Sequence, residues 1–244
     1  MQLLKRHPFA VAAYFKQSLV LTFALPREVL APHLPPPLQL DTLRDEYAFV
    51  AVALVQTRHL RPRLFPPWLG NDFFLAGYRI FVRYQNAVGK RLRGLYILES
   101  QTDKRRMKLL GNLMTHYNYS RIAVEQERTE DRYRVHSPTT GLRCSVRYAD
   151  DPPLPPDSSF TDWKEARRYA GPLPFTFTYL VKEDSVLIVE GVRQNWTPRP
   201  VLVEDWALPW LTQRGFDGAI LASAFVVENI PYYWKKGVLE KCRP

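Results

Sequence analysis

The 244-residue sequence has only two cysteines, Cys144 and Cys242, and they stand far apart. There is no CxxC pair and no Cys/His cluster, which argues against a structural zinc site. Such sparse usage fits a reducing cytoplasm. Glycine is scarce as well, at 11 residues, and no two glycines stand in GxG spacing. A loop that cradles a dinucleotide or a phosphate is therefore not expected. GxSxG, the signature of a nucleophile elbow, is missing, as is the zinc-binding HExxH. The five histidines (7, 33, 59, 116 and 136) are scattered without ligand spacing. Neither a metal nor another cofactor is anticipated. The longest apolar run, Ala48 to Val55, is too short to cross a bilayer as a helix. Near the start, Pro8 and Lys16 bound the run Phe9 to Phe15, which makes a poor signal peptide. The expectation is a cytoplasmic protein without a membrane partner.

What is present is an ordinary globular mixture, 46% hydrophobic and 24% charged, which rules out a disordered or fibrous chain. The length suits one large domain, taken here as 1–244. A net charge of +10 can attract nucleic acid or small anions. The basic clusters are short, however: Arg58, Arg61 and Arg63; Lys90, Arg91 and Arg93; Lys104 to Lys108. With no dense lysine block and no RNA-binding aromatic signature, solvated charge is the simpler reading, and nucleic-acid binding is kept as an alternative of another class. No coiled-coil pattern appears, and assembly into a homo-oligomer is left open.

Proline is abundant, at 21 residues, and its clusters at Pro35–Pro37, Pro66–Pro67 and Pro152–Pro156 mark rigid loops. Between them most segments read as strands. Glu46 to Gln56 is apolar on both faces, as in a strand covered from both sides. In Gly77 to Tyr84 the residues alternate, with Tyr78, Ile80, Val82 and Tyr84 on one face and Arg79, Phe81 and Arg83 on the other. Further strands are expected over Arg93–Ser100, Tyr117–Glu127, Phe175–Val181, Val186–Gln194 and Ala219–Asn229, with a hairpin joining Arg132–His136 to Leu142–Tyr148. Helices are expected over Arg27–His33, Thr102–Thr115, Ser159–Ala170 (with Ser159 and Asp162 at capping-box spacing) and Glu204–Arg214. On the second, Met107, Leu109, Leu110, Leu113 and Met114 share a face, with Lys104 and Lys108 opposite. Many strands and few helices indicate a mostly-β (α+β) fold, a closed barrel with helices over its ends.

Four stretches carry a resemblance: Leu25–Thr42 (LPREVLAPHLPPPLQLDT), Arg58–Tyr84 (RHLRPRLFPPWLGNDFFLAGYRIFVRY), Gly94–Glu125 (GLYILESQTDKRRMKLLGNLMTHYNYSRIAVE) and Ala219–Trp234 (AILASAFVVENIPYYW). Their order resembles the YqjF-like bacterial family of unknown function, within the acetoacetate-decarboxylase-like superfamily. The resemblance implies a cone-shaped, mostly antiparallel barrel around a small-molecule pocket, with a few helices packed outside. Acetoacetate decarboxylase works through a lysine Schiff base. The stretch here that matches its lysine pair, Thr115-His116-Tyr117-Asn118-Tyr119, contains no lysine, and Leu75 stands where a pocket glutamate is expected. Decarboxylase activity is therefore not expected, and whether any reaction is catalysed stays open.

The candidate ligand-binding residues are Arg79, Tyr119 and Arg121, and the candidate catalytic residues are His116 and Tyr117. Arg79 matches an arginine of the YqjF-like strand motif. It points inward to pair with a substrate carboxylate, forms an internal salt bridge, or faces outward into solvent. His116 and Tyr117 occupy the former lysine position, where either could transfer a proton. Tyr117, Tyr119 and Arg121 share one strand face. The favoured reading is a barrel that binds a small organic acid. The alternative is a lyase or hydratase acting on a keto acid through His116 or Tyr117.

Overall fold

The structure, a computed structural model, describes residues 3–170 and 173–242. Half of the chain (51%) is strand and 16% is helix. In chain order the strands are β1 (Val11–Pro26), β2 (Gln39–Leu40), β3 (Tyr47–Pro62), β4 (Asn71–Gln85), β5 (Arg91–Thr102), β6 (Tyr119–Arg121), β7 (Glu125–Arg128), β8 (Arg132–His136), β9 (Arg143–Arg147), β10 (Phe175–Leu180), β11 (Ser185–Arg193), β12 (Arg199–Pro200), β13 (Leu202–Ala207), β14 (Ile220–Trp234) and β15 (Val238–Lys241). The helices are α1 (Arg27–Leu30), α2 (Arg105–Met114), α3 (Trp163–Ala170) and α4 (Pro209–Gln213). None is long and apolar enough to cross a membrane.

Seven strands form a ring in the order β14-β1-β3-β4-β5-β10-β11, and β11 returns to β14. Neighbours are antiparallel except β5 and β10, so the sheet is mixed. Two seams close the ring. One is the parallel joint Phe175↔Gly94 to Phe177↔Tyr96, and the other joins Gly191↔Trp234 to Arg193↔Tyr232. A second sheet, β13-β9-β8-β7, packs its Tyr133, Val135, Cys144 and Val146 into the main core.

The alternation along β4 sets up two interiors. Tyr78, Ile80, Val82 and Tyr84 join the main core, which also takes Leu19, Leu21 and Phe23 of β1 and Trp210 of α4. Arg79 and Phe81 face the inside of the ring. There a smaller cluster of Phe49, Ala51, Phe81, Phe225 and α3's Ala166 plugs one end. Arg83, on the Arg79 face but beyond the plug, pairs with the fully buried Asp41 at 2.5 Å, and Arg93 of β5 takes the other carboxylate oxygen at 2.6 Å. One carboxylate thereby fastens the β4–β5 end.

Several expected elements are corrected. β1 was not anticipated: it is buried on both faces through most of its length, so its sequence has no alternating period to read. Tyr117–Glu127 is two strands. Tyr119–Arg121 pairs with β5, and Glu125–Arg128 pairs with β8 in the other sheet. Glu204–Arg214 divides into the end of β13 and the short α4, which Pro209 opens. Arg27–His33 is α1 followed by a 3-10 turn from Ala31 to His33. The cap of α3 is Asp162, not Ser159: Asp162 Oδ1 accepts the Glu165 N–H at 2.7 Å, and Glu165 Oε2 accepts the Thr161 N–H at 2.8 Å. On α2, Met107 is buried as expected, but Leu109 is 70% exposed.

Candidate functional site

All seven ring strands contribute to a cavity of about 270 Å³ on the unplugged side of the ring. β4 presents Phe73, Leu75, Arg79 and Phe81 to it, the i, i+2 face that includes Gly77. Helix α2 covers it with Met107, Leu110, Gly111 and Met114, and the N-terminal segment adds His7 and Phe9.

Arg79 is the deepest charge. Its cross-strand neighbour, Ala51, belongs to the plug. The guanidinium folds back over Gly77: a Cβ there would lie 2.7 Å from Nη2. Around it stand Tyr117, Tyr119, Tyr232 and Arg193. Two further glycines shape this ring of side chains. A Cβ on Gly111 would lie 2.3 Å from the Tyr119 ring, and one on Gly191 would lie 1.9 Å from the Tyr232 hydroxyl. Asn112 fixes Tyr119 by its backbone, accepting the N–H and donating to the carbonyl, both at 2.8 Å.

Among the described residues, no carboxylate lies within ion-pair range of Arg79 or Arg193. Arg79 Nε and Arg193 Nη2 are buried without a hydrogen-bond partner, as are Trp196 Nε1, Thr57 Oγ1 and His7 Nδ1, all in cavity-lining residues. Arg193 lies over the Trp196 ring at 4.4 Å, so its charge meets a π face rather than an acid. Burial pulls the Arg79 pKa down. The nearby tyrosines oppose this and Arg193 adds to it. Arg193 is lowered by burial too, against the influence of Tyr232. Burial raises all three phenols, Tyr119 to about 12, so they are neutral hydrogen-bond donors at ordinary pH. The side chains of Thr176 and Ser100, both cavity-lining residues, oppose the rise at Tyr117 and Tyr119 respectively. The site thus brings together two guanidiniums without an acid partner among the described residues, three phenols and an indole N–H.

Of the sequence candidates, Arg79, Tyr117 and Tyr119 meet in this site. His116 does not line the cavity. It is half-buried, with its pKa lowered by burial and by the charge of Lys5. Arg121 is exposed at the end of β6, away from the lining residues. Leu75 lines the cavity, and no described lining residue is a lysine; Lys104 and Lys108 are exposed. The sequence reading missed Arg193, Tyr232 and the cavity-lining role of Trp196. One signal pointed to the first: Gly191-Val192-Arg193 repeats the spacing of Gly77-Tyr78-Arg79, a glycine and an arginine on one strand face.

No curated protein matches the sequence. Among solved structures, acetoacetate decarboxylase from Legionella pneumophila subsp. pneumophila superposes with a TM-score of 0.58 at 12% identity, over 93% of this chain and 86% of that one. An acetoacetate decarboxylase-like enzyme from Sphingomonas wittichii RW1 gives 0.59 at 12% identity, over 97% and 94%. The enduracididine biosynthesis enzyme MppR, complexed with pyruvate, gives 0.52 at 10% identity, over 95% and 90%. At such identities these likenesses establish the fold. Residues 13–235 match the DUF2071 family, described as "Uncharacterized conserved protein (COG2071)". This chain, with its acetoacetate-decarboxylase-like fold, belongs to the DUF2071 family.

Proposed function

We propose that the protein binds a small organic carboxylate, of the 2-oxo acid type, inside the barrel, with Arg79 as the carboxylate's main partner and Tyr119 beside it. The observation that carries this reading is the partly buried Arg79 guanidinium, whose buried Nε has no partner and which faces a cavity with no acidic residue among its described lining. A buried cation left unpaired costs several kcal/mol (about 3–5 when a pair is broken), and a ligand carboxylate offsets that cost. MppR, which shares the fold, is complexed with pyruvate, in keeping with a keto acid in this type of barrel. Schiff-base decarboxylation is not part of the proposal, because Tyr117 and Tyr119 line the cavity in the stretch that resembles the decarboxylase's lysine pair. The order of the four quoted stretches supports a place beside the YqjF-like proteins, and the two free cysteines fit a cytoplasmic setting.

Thermal denaturation with 2-oxo acids tests the binding. At a ligand concentration about 100 times Kd, stabilisation is about 2.7 kcal/mol, a rise in Tm of about 5–10 °C. Borohydride added with acetoacetate is expected to leave the protein mass unchanged. A reduced adduct on a lysine would overturn the non-decarboxylase reading, and no stabilisation by any 2-oxo acid would overturn the binding reading.

A second reading is favoured by the Tyr117 phenol beside Arg79. In a lyase- or hydratase-type reaction, Tyr117 would donate a proton to an enolate held by the guanidinium. With a turned-over keto acid, Tyr117→Phe would then lose turnover and keep binding. Equal loss of both would remove this reading.

A further inference from the structure

We propose that the occupant is a monocarboxylate with an extended apolar body, bound acid-first, rather than an acid the size of pyruvate. This rests on the anion-site reading above and adds the class of ligand. The direction of the cavity points to such a ligand. Arg79 lies next to the plugged end, and the cavity-facing side of β4 runs from there through Gly77 and Leu75 to Phe73. The six residue-to-residue steps from Arg79 to Phe73 span about 20 Å. The wall along that run is mainly apolar: Leu75 and Phe73 on β4, Val55 on β3, Phe15 on β1, and Leu110 and Met114 on α2, with the Thr57 hydroxyl across from Phe73 as an exception. A cavity of 270 Å³ holds about nine water-sized groups at about 30 Å³ each, well beyond what pyruvate fills.

Polar groups on the far rim do not make a second anion site. Arg61 is engaged there, donating to the His59 and Phe65 carbonyls at 2.8 Å each. Asn71 donates to the Leu60 carbonyl at 3.5 Å. Among the described residues, the cavity-lining guanidiniums with a buried N–H lacking any partner are those of Arg79 and Arg193, so the cavity has one end with unpaired cationic donors and one mainly apolar run. A second carboxylate carried along the apolar run, away from Arg79 and Arg193, would be desolvated among Leu75, Val55 and Leu110.

Calorimetric titration of the full chain with straight-chain 2-oxo acids tests the proposal. From pyruvate through 2-oxohexanoate to 2-oxooctanoate, Kd is expected to fall about fourfold per added methylene, as burial of about 0.8 kcal/mol each dictates. 2-Oxoglutarate is expected to bind no more tightly than pyruvate. Leu75→Asn is expected to weaken 2-oxooctanoate more than pyruvate, flattening the series. A flat series in the wild-type protein, or 2-oxoglutarate binding more tightly than 2-oxooctanoate, overturns this inference and leaves the anion site standing. Failure of every acid, pyruvate included, overturns both.

Discussion

Replacing Arg79 with methionine is expected to stabilise the ligand-free protein while removing its affinity for carboxylates. Most substitutions of buried residues destabilise, so the sign of the first effect is diagnostic. It follows from the setting of the guanidinium. The charge is partly desolvated, has no acid partner among the described residues, and stands beside a second cation at Arg193. An apolar side chain of similar length removes that burden and packs over Gly77, where the guanidinium now lies. Comparable replacements of buried ionic groups gain about 1–4 kcal/mol. In a chain of this length that is a Tm rise of several degrees, at about 2–4 °C per kcal/mol. Removing one partner of a buried charge-assisted carboxylate contact costs about 2–5 kcal/mol or more in binding, so affinity for 2-oxo acids should fall at least about thirtyfold. Denaturation scans with and without ligand read both effects. A lowered Tm in the ligand-free variant would mean that Arg79 is a structural tie within the protein, and retained binding would move the anion site elsewhere.

The second large effect is expected at Gly94→Ala. A Cβ at Gly94 would lie 2.3 Å from the Phe175 carbonyl oxygen and 2.6 Å from the Phe177 ring. The first of these atoms is backbone, so it cannot swing aside as the tip of a long side chain would. It also belongs to the three-pair parallel joint that ties β5 to β10 and closes one seam of the ring. Overpacking typically costs about 1–3 kcal/mol, and a clash with backbone falls at the upper end. A Tm loss of about 6–12 °C is the expected outcome. Carboxylate binding should weaken with it, since β10 brings Thr176 to the cavity and leads directly into β11 with Arg193. A variant as stable as the parent would show that the seam has room that the present geometry denies it.

These two positions also show what the sequence could and could not convey. The alternation along Gly77–Tyr84 separated Arg79 from the Tyr78–Tyr84 face, and that division is the one found between the cavity and the main core. Local periodicity suffices there because one strand carries the whole pattern. Tyr117 and Tyr119 both line the cavity, but not through strand alternation: Tyr117 precedes β6 and the left-handed Asn118 stands between them. His116 was drawn in by its place in the stretch that matches the lysine pair and Arg121 by an assumed strand face shared with Tyr117 and Tyr119, whereas placement in the cavity depends on which way the backbone turns at the end of α2. Asn118, at φ +50°, and the break after Arg121 set that turn. Arg193 and Tyr232 reach Arg79 only because the ring closes β11 onto β14, and that contact leaves no local period. The long strand β1 escaped for the opposite reason, since burial on both faces erases alternation.

The account's central claim is that Arg79 receives a ligand carboxylate inside the barrel. A crystal structure of the protein with 2-oxooctanoate tests it most directly. The account predicts the carboxylate on the Arg79 guanidinium, with Nε as one donor, and the alkyl chain running past Leu75 toward Phe73. A ligand seated outside the ring, or Arg79 paired with an acidic side chain of the protein, would contradict it.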